Sequence, residues 1–288
     1  MEYIVKPTAY LLSELLASAG VRYVVVSPGS RCAPLILALS RSECFDIKLV
    51  IDERSAAFIG LGIALATGSP VALVCTSGSA VLNYAPALAE AYYRRVPLIA
   101  VSADRPADMI DIRDSQTIRQ YGALSAVVRR SVDIRDVSSE RDLRFANRLI
   151  NDALGSALGQ IKGPVHINMQ FDAPLTPATQ ARPRTYSRRI SLVASSATSH
   201  LQGLIDTIDA KARVLILVGA FHPSAHFKSA VSRLIGRGNV VVLSEAQANL
   251  RQSIGFFNPK PDFSSLPRPD VVVTVGGSLC SATLKSYM

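Results

Sequence analysis

Four short segments concentrate the side chains able to do chemistry: Ser27-Pro28-Gly29-Ser30-Arg31, Asp52-Glu53-Arg54-Ser55, Thr76-Ser77-Gly78-Ser79 and Asp104-Arg105-Pro106. Each joins small residues, which admit a ligand close to the backbone, to groups that bind anions or move protons. Glu53 follows the apolar run Ile47-Lys48-Leu49-Val50-Ile51, which predicts a buried strand, and it stands where a helix begins. A carboxylate there can exchange a proton with a ligand. It can equally serve the helix, whose macrodipole favours an acid at that end by roughly 0.3–1 kcal/mol. Arg31 and Arg105 are open in the same way, to an ion pair or to an anionic ligand.

Other patterns carry less. Gly60-Leu61-Gly62 lies inside a predicted helix and lacks the third glycine of a dinucleotide fingerprint, so it reads as helix packing. His222 and His226 have i,i+4 spacing without HExxH or an acid-rich set around them, which argues against a metal site. Thr76-Ser77-Gly78-Ser79 is not a GxSxG elbow, and no histidine follows in a triad order, which argues against a serine hydrolase.

The elements that must position these loops follow from periodicity. From residue 8 to about 170, apolar β-type runs alternate with helical segments, the signature of a parallel α/β sheet with helices on both faces. In such sheets ligands collect at the carboxyl ends of the strands, and all four loops fall there. Prolines, arginines and polar residues from 176 to 192 break the pattern and predict an interdomain linker. The predicted division is a first domain over 1–180, a linker over 181–195 and a smaller, incomplete α/β domain over 196–288, whose strands are VLILVG, VVVLSEA and VVVTVGG.

Composition narrows the class. With 49% hydrophobic and 18% charged residues, the 288-residue chain has apolar material for a sizeable core. No apolar run approaches the roughly 20 residues of a membrane-spanning helix. The start MEYIVKPTAYLL lacks the features of a secretory signal, so the expectation is a cytoplasmic protein. Cys32, Cys44, Cys75 and Cys280 have neither metal-ligand spacing nor disulfide-scaffold density. The +9 charge is spread along the chain without an aromatic-basic motif, which favours anionic small molecules or an acidic partner over nucleic acid.

Taken in order, SPGSRCAPL, IDERSAAFIGLGIALATG, TSGSAVLNYAPALAEAYYRRVPLIAVSADRP, DSQTIRQYGA and GPVHIN resemble the pyrimidine-binding domain of the thiamine-diphosphate-dependent 2-succinyl-5-enolpyruvyl-6-hydroxy-3-cyclohexene-1-carboxylate synthase family. The resemblance spans about residues 8–175 and is weaker over the second unit. It implies a transferase of menaquinone biosynthesis that decarboxylates 2-oxoglutarate on thiamine diphosphate and adds the resulting carbanion to isochorismate. By the same resemblance Glu53 is the catalytic carboxylate on the aminopyrimidine ring, Ser77 and Gly78 adjoin the cofactor, and Ser30, Arg31, Arg105 and Gln116 bind substrate. No GDG segment with its asparagine-containing magnesium loop occurs in the 288 residues, so the metal ligands and the pyrophosphate-binding domain are expected elsewhere. The resemblance further implies a homo-oligomer with its active site between subunits, and a fragment inactive alone. Ser281–Leu284 stand where relatives carry a basic residue, and TSGS replaces the commoner TSGT. The other readings are a non-catalytic binding or oligomerisation module and another thiamine-dependent decarboxylase or synthase.

Overall fold

β-Branched runs form the strands of a six-stranded, wholly parallel sheet, ordered β2-β1-β3-β4-β6-β5, in the computed structural model of the chain. The structure describes residues 6–137, 139–175, 183, 185, 187–190, 206, 212–220, 222–250, 254–256 and 268–277. The strands are β1 (Tyr23–Val26), β2 (Asp46–Leu49), β3 (Val71–Cys75), β4 (Leu98–Asp104), β5 (Arg130–Ile134) and β6 (Val165–Gln170). Helix α1 (Pro7–Ser18) precedes β1, and α2 (Ala33–Ser40), α3 (Glu53–Thr67), α4 (Ala85–Arg94) and α5 (Glu140–Leu158) lie between successive strands. One apolar cluster joins α1, α2 and α5 to the sheet, and a second joins α3 and α4 to the other face. This is the α/β fold read from the alternation of strands and helices.

The strand order dictates where loops meet. From β1 the chain runs outward to β2 and then returns to the far side of β1 as β3, so the loops after β1 and β3 diverge at a switch point. They touch there: a Cβ on Gly29 would fall 2.4 Å from Thr76 Cβ. A second reversal places β6 between β4 and β5.

Two local readings are refined. β2 was expected to be buried, but it is the sheet edge, with Leu49 68% and Ile51 82% exposed. Periodicity cannot distinguish an edge strand from a central one, because that is set by pairing. Gly60 packs its bare Cα against Leu73, where an added Cβ would come within 2.4 Å, as the packing reading requires, whereas Gly62 is exposed and a Cβ there would meet nothing within 4 Å.

The chain divides into two compact units, 1–193 and 194–288. Of the predicted linker, Thr185 donates to Glu14 on α1, the Arg188 N–H and carbonyl bond to the Asn147 side chain, and the Ile190 N–H donates to Asn151 Oδ1, both asparagines being on α5. These residues therefore pack with the first unit. In the second unit, β7 (Val214–Val218), β8 (Val240–Glu245), β9 (Ile254–Phe256) and β10 (Val271–Val275) form a parallel sheet ordered β10-β7-β8-β9, and α6 (Ala225–Ile235) follows β7. Strand β9 had no counterpart in the sequence reading, being only three residues long. Cys280 and Ser281–Leu284 lie outside the described residues.

Candidate functional site

Every strand of the larger sheet points its carboxyl end the same way, so the loops carrying Ser30, Arg31, Glu53, Ser77, Gly78 and Arg105 share one edge. At the start of α3 the capping role belongs to Asp52, whose carboxylate accepts from the Ser55 N–H at 2.7 Å. Glu53, one residue later, is half-buried, and no hydrogen bond or ion pair reaches its carboxylate among the described residues. Its charge raises the pKa of Cys32, Cys75 and Tyr84, after the larger effect of their own burial. The Cys32 thiol is thereby pushed up to about 11. Cys32 and Cys75 are buried, unpaired thiols, as a structural role requires.

Of the acids at the strand ends, Asp52, Glu53, Asp104, Asp136 and Asp172, only Glu53 is without a partner among the described residues. Asp104 accepts from the Arg105 N–H and from Asn168, Asp136 pairs with Lys6 at 2.5 Å, and Asp172 accepts from the Ala173 N–H. Burial of the Glu53 carboxylate is only partial among the described residues, because its neighbours Ile51, Asp52, Arg54 and Ser55 are exposed.

The two arginines converge. Arg31 donates through Nη1 to the Phe171 carbonyl at 2.7 Å. Its pKa is lowered first by burial and then by the charge of Arg105, while Asp172, Asp114 and Asp104 act the other way. Arg105 lies 3.1 Å from Asp114, which supplies its ion pair. Gln116 goes elsewhere: its Nε2 donates to the Ser77 carbonyl at 3.2 Å, and its Cγ lies where a Cβ on Gly78 would fall. Gly78 is at φ +83, a conformation that only glycine adopts without strain. Thus Gln116 joins the Ser77-Gly78 loop, while Arg31 and Arg105 stand close enough for the charge of one to act on the other.

Sequence reading missed the network beneath these loops. Ser102 and Asp104 on β4, His166, Asn168 and Gln170 on β6, and Ser131 and Asp133 on β5 alternate with apolar residues and so share one face. Buried Gln120 covers them. Its Oε1 accepts from the Gly78 N–H at 2.6 Å, and its Nε2 donates to the Ala103 carbonyl at 3.1 Å and to Asn168 Oδ1 at 3.0 Å. Asn168 Nδ2 then donates to Asp104 and Asp133, and Gln170 Nε2 donates to Asp133. Ser102 donates to Asn168 Oδ1, so the proton in its 2.7 Å contact with His166 comes from His166 Nε2. Ser131 contacts the other ring nitrogen at 3.2 Å. A continuous hydrogen-bonded path therefore runs from Gly78 through Gln120, Asn168 and Asp104 to the Arg105 N–H. The available signal was polar residues at alternate positions of two otherwise apolar strands.

Burial raises the Asp104 carboxyl to about 6, and burial lowers His166 to about 4. Among the described residues no group of three or more His, Cys, Asp or Glu is placed to hold a metal ion, and no helix is long and apolar enough to cross a membrane.

This arrangement fits the aminopyrimidine part of thiamine diphosphate. It offers an unpartnered carboxylate at a strand-end edge beside a glycine-containing loop held by buried amides. Residues 7–123 match the family described as thiamine pyrophosphate enzyme, N-terminal TPP binding domain. Similar proteins include 2-succinyl-5-enolpyruvyl-6-hydroxy-3-cyclohexene-1-carboxylate synthases of Porphyromonas gingivalis, 37% identical over all of this chain and 51% of the relative, and of Cytophaga hutchinsonii, 38% identical over 97% and 51%. That of Bacteroides fragilis is 35% identical over 99% of this chain and 53% of its own. The chain spans about half the length of the curated relatives it matches.

Proposed function

We propose that this chain, which corresponds to the N-terminal portion of the 2-succinyl-5-enolpyruvyl-6-hydroxy-3-cyclohexene-1-carboxylate synthase family, supplies the pyrimidine-ring side of a thiamine-diphosphate-dependent active site. The observation that carries this reading is Glu53, the strand-end acid left without a partner. Bound thiamine diphosphate would supply the electron sink for decarboxylating a 2-oxo acid. Glu53 would hold and return a proton at the aminopyrimidine ring, and Ser77 and Gly78 would help to hold that ring. Arg31 and Arg105 orient substrate carboxylates by charge-assisted hydrogen bonds, with Ser30 beside Arg31 and Gln116 acting from the Ser77-Gly78 loop. The substrates in this reading are 2-oxoglutarate and isochorismate, joined with loss of carbon dioxide in menaquinone biosynthesis.

Completion of the site requires a diphosphate and magnesium cradle, for which these 288 residues offer no GDG segment. The exposed apolar side chains beside Glu53, namely Ile51, Phe58 and Ile59, support its covering by another surface in a homo-oligomer. The cytoplasm suits such an enzyme.

Glu53→Gln in the full-length protein tests the reading, because an amide cannot take and return the ring proton. Exchange of the cofactor C2 proton for deuterium, followed by NMR, is expected to slow by at least about 100-fold with the fold intact. The 288 residues assayed alone are expected to form no product. An unchanged exchange rate removes Glu53 from this role.

A further inference from the structure

Between β4 and Gln120 a strap of residues 105–119 is anchored by the Ala107 N–H on Gln170, by Gln116 on the Ser77 carbonyl and by Asp114 against Arg105. The Arg105 and Asp114 side chains are 16% and 29% exposed, with Nη1 and Oδ2 3.1 Å apart. Their pairing is incomplete. Arg105 Nε and Asp114 Oδ2 are both buried, and neither makes a hydrogen bond. A guanidinium matched to a carboxylate normally forms two parallel hydrogen bonds, and a buried charged donor left unmatched is unfavourable. A ligand carboxylate free to choose its own angle can satisfy Nε and an Nη together, which Asp114 does not.

Between these anchors the strap is strained and exposed. Asp111, Arg113 and Gln116 take φ values of 66, 66 and 56, left-handed conformations that are unfavourable for residues other than glycine. Its ion pair between Asp111 and Arg119 is solvent-exposed, and Ile112 is 63% exposed. Such a segment sits at the low end of local stability and can open without the sheet opening.

We propose that Asp114 is an internal competitor for the carboxylate site: it occupies Arg105 until a ligand carboxylate takes its place, and the exchange releases the strap. This rests on the reading of Arg31 and Arg105 as ligands for substrate carboxylates. Exchanging one carboxylate for another conserves the charge on Arg105. Asp114 thus sets how strong an anion must be to enter, favouring small dicarboxylates that engage both arginines over single weak anions.

The sign of one substitution separates a competitor from a supporting partner. Succinate serves as the dicarboxylate probe, titrated calorimetrically at low salt into the 288-residue chain, and hydrogen exchange of residues 106–118 reports the strap. Asp114→Asn is expected to bind succinate about tenfold more tightly than the unaltered chain, and Asp114→Ala to change affinity in the same direction. In the unaltered chain succinate is expected to speed exchange of the strap; in Asp114→Asn exchange is already fast and insensitive to succinate. Weaker or equal binding by both variants overturns the proposal, as does absence of binding by every form. Should neither variant fold, a strap whose exchange in the unaltered chain is unmoved by succinate overturns it as well. Succinate affinity is read without cofactor and C2 exchange without succinate, so failure here leaves the Glu53 reading standing, and the reverse also holds.

Discussion

Glu53 and Gln120 show two ways in which a single side chain serves the same loop edge. Glu53 matters because nothing among the described residues uses its carboxylate; Gln120 matters because both ends of its amide are used. With Oε1 on the Gly78 N–H and Nε2 shared between Ala103 and Asn168, Gln120 couples the Ser77-Gly78 loop to the polar face of β4 and β6. Gln120→Leu fills similar space but leaves the Gly78 N–H buried without an acceptor. The expected loss is about 1–3 kcal/mol of stability by chemical denaturation. Hydrogen exchange should locate it, with protection falling first at Gly78. Uniform loss of protection across the sheet would make Gln120 a general core residue.

At the scale of elements, the strand-end loops are positioned by contact between neighbouring strands. The turn after β1 approaches β3 so closely that Gly29 faces Thr76 with no room for a side chain: an added Cβ would stand 2.4 Å from Thr76 Cβ, 2.6 Å from its Oγ1 and 2.7 Å from its Cγ2. Gly29→Ala is therefore expected to cost about 1–3 kcal/mol through overpacking. Thr76→Ser introduced into that variant should not restore stability, because its Cβ remains. Thermal denaturation of the single and double variants checks both statements. The same closeness carries Ser30 and Arg31 to the edge shared with the Thr76-Ser77-Gly78 loop, which no separation along the sequence conveys.

The whole first unit carries a buried polar network whose two titrating members oppose each other. His166, held at about 4 against an ordinary 6.5, stays neutral while the unfolded chain takes up a proton. Its contribution is present above pH 6.5 and is lost as pH falls to 4, by about 3 kcal/mol in all. Asp104, raised to about 6 from 3.8, acts in the other direction: stability rises as pH falls from 6 towards 4, because the folded form binds the proton first. The two slopes largely cancel in that window. Asp104→Asn removes one of them, so unfolding free energy measured from pH 7 to pH 4 should fall more steeply towards acid than in the unaltered protein. Equal slopes would show that Asp104 does not titrate in this range.

By itself, the sequence determined the parallel α/β architecture, because strands buried by helices on both sides must be short and apolar and must alternate with helical segments. It also marked Ser30, Arg31, Glu53, Ser77, Gly78 and Arg105 as strand-end residues, since each follows such a run within a few positions. Only the tertiary structure decided that β2 lies at the sheet edge, so that Leu49 and Ile51 face outward, because neighbour choice is a matter of pairing and not of hydropathy. Only it separated Gln116, which serves the Ser77-Gly78 loop, from Arg31 and Arg105. Asp114 as the partner of Arg105, and Gln120 and Asn168 as the link between loops, were likewise decided there. The physical reason is the range of the interactions: helix and strand periodicity is local along the chain, whereas a hydrogen bond between residues 42 or 48 positions apart exists only after the sheet has closed.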